Sequence, residues 1–204
     1  MGGKAIVTGA AGFIGSHLTE ELIKQGFFVL GIDNLAVGRL ENLSGIDPRS
    51  FKFLEADLSK LQADDLPLSI NEVTHVFHLG ALADIVPSIK SPRDYFEANV
   101  EGTLNILEIA RKAKLKKFLY AASSSCYGIP NKYPTPESTE ISPEYPYALT
   151  KYVGEEMVRH WGKVYKIPVI SLRLFNVYGP RARTSGTYGA VLGSSWLKRE
   201  LENL

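Results

Sequence analysis

Two short segments hold residue types that together could take a proton from a hydroxyl and steady the oxygen left behind. In "YPYALTKY", Tyr147 and Lys151 stand one helical turn apart, so their side chains share a face. An ammonium beside a phenol favours the phenolate and draws its pKa toward neutrality, which makes Tyr147 a usable base. The second segment, "AASSSCYG" at 121–128, offers hydroxyls that can hydrogen-bond a substrate oxygen on which charge develops. A tyrosine and a lysine at this spacing are common on ordinary exposed helices, so the pair gains meaning only from its surroundings.

A third segment supplies those surroundings. "VTGAAGFIGSHL", residues 7–18, places Gly9, Gly12 and Gly15 where an apolar strand gives way to a helical pattern. In such a turn the first glycine permits a tight bend and the second lets backbone N–H groups reach a pyrophosphate. The third lets helix pack on strand. The helix N-terminus adds a partial positive charge for phosphates. Asp33 ends the second strand pattern, 18 residues beyond Gly15. A carboxylate there would accept hydrogen bonds from an adenosine ribose and repel a 2′-phosphate, which favours NAD over NADP. Arg39, close in sequence, weighs against that preference, and the plainer alternative is that Asp33 only caps a turn.

These residues need a scaffold, and the hydropathy pattern describes one. Strands are predicted over 4–8, 28–32, 51–55, 75–79, 117–122 and 168–174, each apolar without alternation, as in a parallel sheet covered on both faces. Helices are predicted over 12–25, 94–114 and 147–165. This rhythm implies an α/β fold with a doubly wound parallel sheet, a Rossmann fold. The serine-rich segment then falls at the carboxyl end of the fifth strand, where open α/β sheets take their ligands. A long loop over 128–146, rich in Pro, Glu, Ser and Tyr, has the length of a functional loop. The expected division is a dinucleotide-binding domain over 1–178 and the beginning of a substrate-binding portion over 179–204. Beyond Pro180 an amphipathic pattern runs on without a stop signal, so the chain is expected to be cut mid-domain.

Composition narrows the function classes. With 204 residues, 45% of them hydrophobic, and a net charge of +1, the chain has material for a large core and no field to draw nucleic acid or a membrane surface. The basic run at 111–117 reads as a helix C-terminus complementing its dipole. The single cysteine, Cys126, excludes an internal disulfide and suits a reducing, cytoplasmic compartment. Neither a spanning segment nor room for a signal peptide is evident. His17, His75, His78 and His160 lack ligand spacing, so no metal is expected. Cys126 reads as a packing residue, Trp161 and Trp196 as core or interface, and Tyr127 and Tyr178 as either pocket wall or sugar contact.

Taken in order, "TGAAGFIGSHL", "DNL", "ADL", "HLGAL", "NVEGT", "SSSCYG", "YALTK" and "LRLFNVYGP" resemble the extended short-chain dehydrogenase/reductase family. The resemblance is to its NAD-dependent nucleotide-sugar epimerases and dehydratases of the UDP-glucose 4-epimerase kind. It implies that Gly9, Gly12, Phe13, Ile14 and Gly15 hold the pyrophosphate and that Asp33 and Asn34 hold the adenosine ribose. Asp57 and Leu58 would border the adenine, and Leu79, Gly80 and Ala81 would line the path to the nicotinamide ribose. Asn99 would help arrange the site around the lysine, and Phe175 would flank the nicotinamide. By the same resemblance the catalytic hydroxyl is Ser123, the base Tyr147, and Lys151 serves both Tyr147 and the ribose. Ser123, Ser124, Tyr147 and Asn176 would contact the nucleotide sugar. Serines at 124 and 125, where similar dehydratases carry an Asp-Glu pair, disfavour dehydration. Ala83 stands where some galactose epimerases have lysine, while "YAASSS", "YPYALTKY" and "SGTYGAV" are similar to epimerases of UDP-sugars, N-acetylated and uronic ones included. The implied activity is UDP-hexose 4-epimerisation through a transient 4-keto sugar. Alternatives are a dehydratase, a decarboxylase, a 2-epimerase or a catalytically silent NAD-binding module. The helices from 94 and 147 resemble a four-helix homodimer interface.

Overall fold

The computed structural model describes residues 2–182. Six strands form one parallel sheet: β1 (Lys4–Thr8), β2 (Phe28–Asp33), β3 (Phe51–Glu55), β4 (Val73–His78), β5 (Lys117–Ser123) and β6 (Val169–Leu174). Their order is β3-β2-β1-β4-β5-β6, every neighbouring pair parallel. This is the doubly wound order expected of a dinucleotide-binding sheet. It reverses beside β1, so the crevice for a ligand opens at the carboxyl ends of β1 and β4.

Alternation along the strands divides the core into two layers. Ile6, Leu30, Ile32, Val76, Phe118 and Tyr120 face helices α4 (Gly102–Lys112) and α5 (Pro146–Tyr165), meeting Ile106, Leu107 and Val158. Ala5, Val7 and Val29 face the other way, toward Leu22 of α1 (Phe13–Lys24). Strand β6 pairs with β5 and keeps Ile170 and Leu172 exposed on the α1 side of the sheet.

The predicted helix over 94–114 is three pieces. α3 (Pro92–Phe96) passes into a π-helical turn, Glu97–Glu101, and then into α4. A π turn inserts a residue without ending the apolar pattern, so hydropathy reads straight through it. The interruption carries Asn99, whose buried side chain bonds to two other elements as described below. A short helix, α2 (Ile85–Lys90), escapes prediction because six residues give no periodicity. The basic run does begin at the end of α4, where Arg111 pairs with Glu108. Among the described residues no helix is long and apolar enough to cross a membrane, and no group of His, Cys, Asp and Glu is arranged to hold a metal ion. Trp196 and the predicted helix beyond Pro180 fall outside the described residues apart from 181 and 182.

Candidate active site

The glycine-rich turn joins β1 to α1 through strained and crowded backbone. Gly9 lies at φ +68°, its amide donating to the Ile32 carbonyl at 2.8 Å. A Cβ on it would stand 2.9 Å from the Gly80 nitrogen, so the turns after β1 and β4 touch there. Gly12 is the extended N-cap of α1, with no side chain capping the helix, which leaves its first N–H groups available to an anion. A Cβ on Gly15 would collide with the Gly9 carbonyl oxygen. Gly15→Val is therefore expected to lower folding stability by about 2–3 kcal/mol, read by urea unfolding, because a rigid backbone cannot move aside.

Asp33 is 8% exposed at the end of β2. One carboxylate oxygen accepts the Ala11 amide at 3.0 Å and the other the Leu35 amide at 2.9 Å. It thus clamps the glycine turn to the loop leaving β2, and so caps a turn as well as offering lone pairs to a further donor. Asn34 is exposed and accepts the Ala36 amide at 3.1 Å. Arg39 is exposed, held by its own amide to the Ala11 carbonyl at 3.0 Å. After β3, Asp57 folds its loop back by accepting the Ser59 amide at 3.0 Å and hydroxyl at 2.9 Å. Leu58 covers Gly80: a Cβ there would lie 2.7 Å from Leu58 Cδ1. Gly80 and Ala81 follow Leu79 out of β4, all three half-buried.

The residues expected to be catalytic lie at the end of β5 and in the first turns of α5. Ser123 ends β5, its hydroxyl 2.8 Å from that of Ser125 and accepting the Ser125 amide at 3.2 Å. This bond pattern turns the chain into the short 3₁₀ turn Ser124–Tyr127. Pro146 starts α5, placing Tyr147 in its first turn and Lys151 one turn below. The Tyr147 ring meets Tyr95 edge-on, centroids 6.3 Å apart, and Tyr95 is fixed by donating to the Ala83 carbonyl at 2.9 Å. Lys151 is buried, its ammonium 4.2 Å from the centre of the Tyr120 ring. Burial pulls the ammonium pKa down to about 7, and Glu155, one turn further along α5, opposes the fall. A Cβ on Gly154 would strike the Tyr120 hydroxyl, so that glycine admits the ring on which the ammonium rests.

Asn99 was expected from the resemblance, whereas its bonding partners and the Glu155–Arg173 pair escape a reading of the sequence. Asn99 accepts the Leu82 amide at 2.7 Å and donates to the Leu82 carbonyl and the Thr150 hydroxyl, both at 3.0 Å. It therefore ties the loop after β4 to α5, one residue before Lys151. Glu155 pairs with Arg173 of β6 at 3.0 Å, and Arg173 also donates to the Tyr127 hydroxyl at 2.9 Å. Tyr127 is buried, with its hydroxyl accepting from Arg173. Arg173 as the lone cation in an apolar strand, with Glu155 four residues past Lys151, was the available signal. Cys126 is buried, as a packing residue should be. Phe175 and Asn176 leave β6 at the same end but are exposed, and Ser124 is half-buried. A separate hollow of about 400 Å³ lies along the outer face of α5, between Tyr152, Val153, Met157 and Trp161, away from this edge.

Fold and site together define a dinucleotide-type α/β domain with a tyrosine–lysine helix at the ligand edge of its sheet. The profile of the NAD dependent epimerase/dehydratase family matches residues 5–199, and the chain belongs to that family. It is 37% identical over 199 residues to a putative UDP-glucose 4-epimerase of Methanocaldococcus jannaschii, covering 97% of this chain and 63% of the relative. Among solved structures it resembles a UDP-N-acetylglucosamine 4-epimerase from Methanobrevibacter ruminantium in complex with UDP-N-acetylmuramic acid. That match has a TM-score of 0.88 and 32% identity over 97% of this chain and 63% of the other. A UDP-glucuronic acid 4-epimerase from Bacillus cereus, bound to UDP-glucuronic acid and NAD, matches with TM-score 0.84 and 32% identity, covering 96% and 63%. The chain thus spans a little under two thirds of the length of these relatives.

Proposed function

We propose that the chain carries the NAD-binding and catalytic part of a UDP-hexose 4-epimerase, with residues 1–178 as the cofactor domain and 179–204 opening the sugar-binding portion. The observation that carries this reading is the buried Lys151 one turn below Tyr147, at the sheet edge that also bears the glycine turn and Asp33. The residues fit a dinucleotide. A glycine cradle that side chains would fill, an uncapped helix N-terminus and a carboxylate with lone pairs to spare are what pyrophosphate and ribose require. Gly9, Gly12, Phe13, Ile14 and Gly15 would hold the pyrophosphate, Asp33 and Asn34 the adenosine ribose, and Asp57 with Leu58 the adenine. Leu79, Gly80, Ala81, Asn99 and Phe175 would surround the nicotinamide end.

Bound NAD supplies a reversible hydride acceptor. Lys151 would donate to the ribose and lower the phenol pKa of Tyr147. Tyr147 would take the proton of the sugar 4-hydroxyl as C4 loses its hydride, leaving a 4-keto sugar. Ser123 would donate to that oxygen and hold it while the sugar turns its other face. Tyr147 would then return the proton to the oxygen as C4 regains the hydride on its opposite face, so cofactor and protein would end unchanged. Ser123, Ser124 and Asn176 would touch the nucleotide sugar. The apolar surface of Ile89, Phe96 and Leu149, with the hollow along α5, supports a homodimer. The buried single cysteine supports a cytoplasmic setting.

The test is incubation with UDP-glucose, UDP-galactose or UDP-glucuronate without added reductant. The 4-epimer is the expected product, whereas a 4-keto-6-deoxy sugar or CO₂ would reject the assignment. Asp33→Asn is expected to weaken NAD binding about tenfold by calorimetry, since hydrogen bonds to a charged acceptor are worth about 1.5–3 kcal/mol.

A further inference from the structure

Beneath the proposed site a line of fully buried polar groups runs from β1 to the first turn of α5. The Thr8 hydroxyl accepts the amides of Leu79 at 3.1 Å and Gly80 at 2.9 Å, and lies 2.7 Å from Nδ1 of His78. The other ring nitrogen, Nε2, lies 2.9 Å from the Thr103 hydroxyl, which donates to the Asn99 carbonyl at 2.6 Å. The Asn99 amide continues to Thr150 at 3.0 Å, and Thr150 donates to the Tyr147 carbonyl at 2.9 Å. Thr8, His78, Asn99, Thr103 and Thr150 are each at most 1% exposed, so water cannot substitute for any of these partners.

Counting protons fixes the direction of the line. A hydroxyl has one proton and two lone pairs. The Gly80 amide takes one lone pair of Thr8 and the Leu79 amide, shared with the Thr8 carbonyl at 3.3 Å, meets the other, which directs the hydroxyl proton at Nδ1. His78 therefore carries its own proton on Nε2 and gives it to Thr103, whose proton is committed to Asn99. Every bond points from β1 toward α5, an alignment in which neighbours polarise one another. The groups acting on the imidazole are Lys151 from α5 and the Tyr120 ring from β5, 5.5 Å away. Burial first, and the Lys151 charge second, hold the ring neutral by lowering its pKa to about 3.

We propose that His78 is a positioning residue: as the Nε2–H imidazole it ties the loop leaving β4 to the π turn that carries Asn99, and so registers Tyr147 against the cofactor loop. Leu79 and Gly80, which would face the nicotinamide ribose, hang from one end of the span that His78 bridges, and Leu82 hangs from the other. The functional half of this statement rests on the NAD reading above; the tautomer and the linkage do not.

The decisive measurement is a long-range proton–nitrogen imidazole spectrum of the nitrogen-15-labelled chain, with His78 assigned by its loss in His78→Phe. One Nε2–H tautomer, unchanged from about pH 5 to about pH 8, is expected, where an ordinary histidine titrates. A ring protonated on Nδ1, or one that titrates in that range, overturns the proposal. His78→Phe keeps the ring volume and removes both bonds, and Thr103→Val cuts the line at its far end. Each should speed Leu82 amide exchange about tenfold relative to amides of β2 and weaken NAD binding about tenfold. The double variant should be no worse than either alone, because both break one path; multiplied losses would show two independent contacts. If either variant fails to fold, His78 is assigned in the unaltered chain through its own backbone resonances, and the spectrum still decides the tautomer. Failure of the unaltered chain to bind NAD would reject the dinucleotide reading, leaving the spectrum and Leu82 exchange to judge the linkage.

Discussion

Exchanging Lys151 for methionine is expected to lower epimerisation at least a hundredfold and at the same time to make the fold more stable. The first effect follows because Tyr147 would lose the nearby cation that favours its phenolate, and general-base catalysis contributes about 10²–10⁴-fold. The second follows from burial. Lys151 is 4% exposed, and its pKa of about 7 lies well below the ordinary lysine value because burial disfavours the charge. The Tyr120 ring returns part of that cost through its contact at 4.2 Å. Below about pH 7 both folded and unfolded chains hold the proton, and the folded state bears the full penalty. Between about pH 7 and the unfolded lysine pKa near 10.4, the unfolded chain binds more protons, so wild-type stability rises with pH. Lys151→Met should therefore be the more stable by about 1–2 kcal/mol at pH 6, with the gap closing toward pH 10. Urea unfolding at several pH values measures this. A variant less stable at pH 6, or a gap independent of pH, would refute the account of the site as stored electrostatic strain.

Removing one member of the Glu155–Arg173 pair should have the largest effect on folding. Glu155 is 5% exposed and its partner guanidinium spans β6, α5 and the Tyr127 ring. The pairing holds the Arg173 pKa above its usual value, chiefly through the bond to Glu155 and despite burial. Breaking a buried pair leaves the other charge unsatisfied, which costs about 3–5 kcal/mol. Arg173→Met should therefore unfold at markedly lower urea, and pairing it with Glu155→Leu should recover most of the loss. The same variants separate stability from chemistry, since Glu155 also opposes the fall in the Lys151 pKa. In Glu155→Leu/Arg173→Met that pKa should drop, moving the acid limb of the activity profile to lower pH. A double variant as unstable as the single would mean that the pair acts through packing alone.

The parallel sheet was legible because buried strands require unbroken apolar runs. The predicted strands over 4–8 and 51–55 coincide with β1 and β3, and the other four differ only at their ends. The glycine turn was legible for a related reason: backbone in close contact cannot tolerate a side chain, so Gly9 and Gly15 mark the contact in the letters themselves. Asp33 was visible as a carboxylate at a strand end, although its clamp on Ala11 and Leu35 was not.

Local pattern by itself thus determined which strands are buried, where the backbone must crowd, and that Tyr147 and Lys151 share a helix face. Tertiary structure alone decided that Lys151 is buried over Tyr120, that Glu155 meets Arg173, and that His78 and Asn99 join β1 to α5 through a π turn. The reason is physical. Spacing along one element fixes direction, but burial and partner choice depend on groups tens of residues away, and no periodicity records which of them a folded chain brings together.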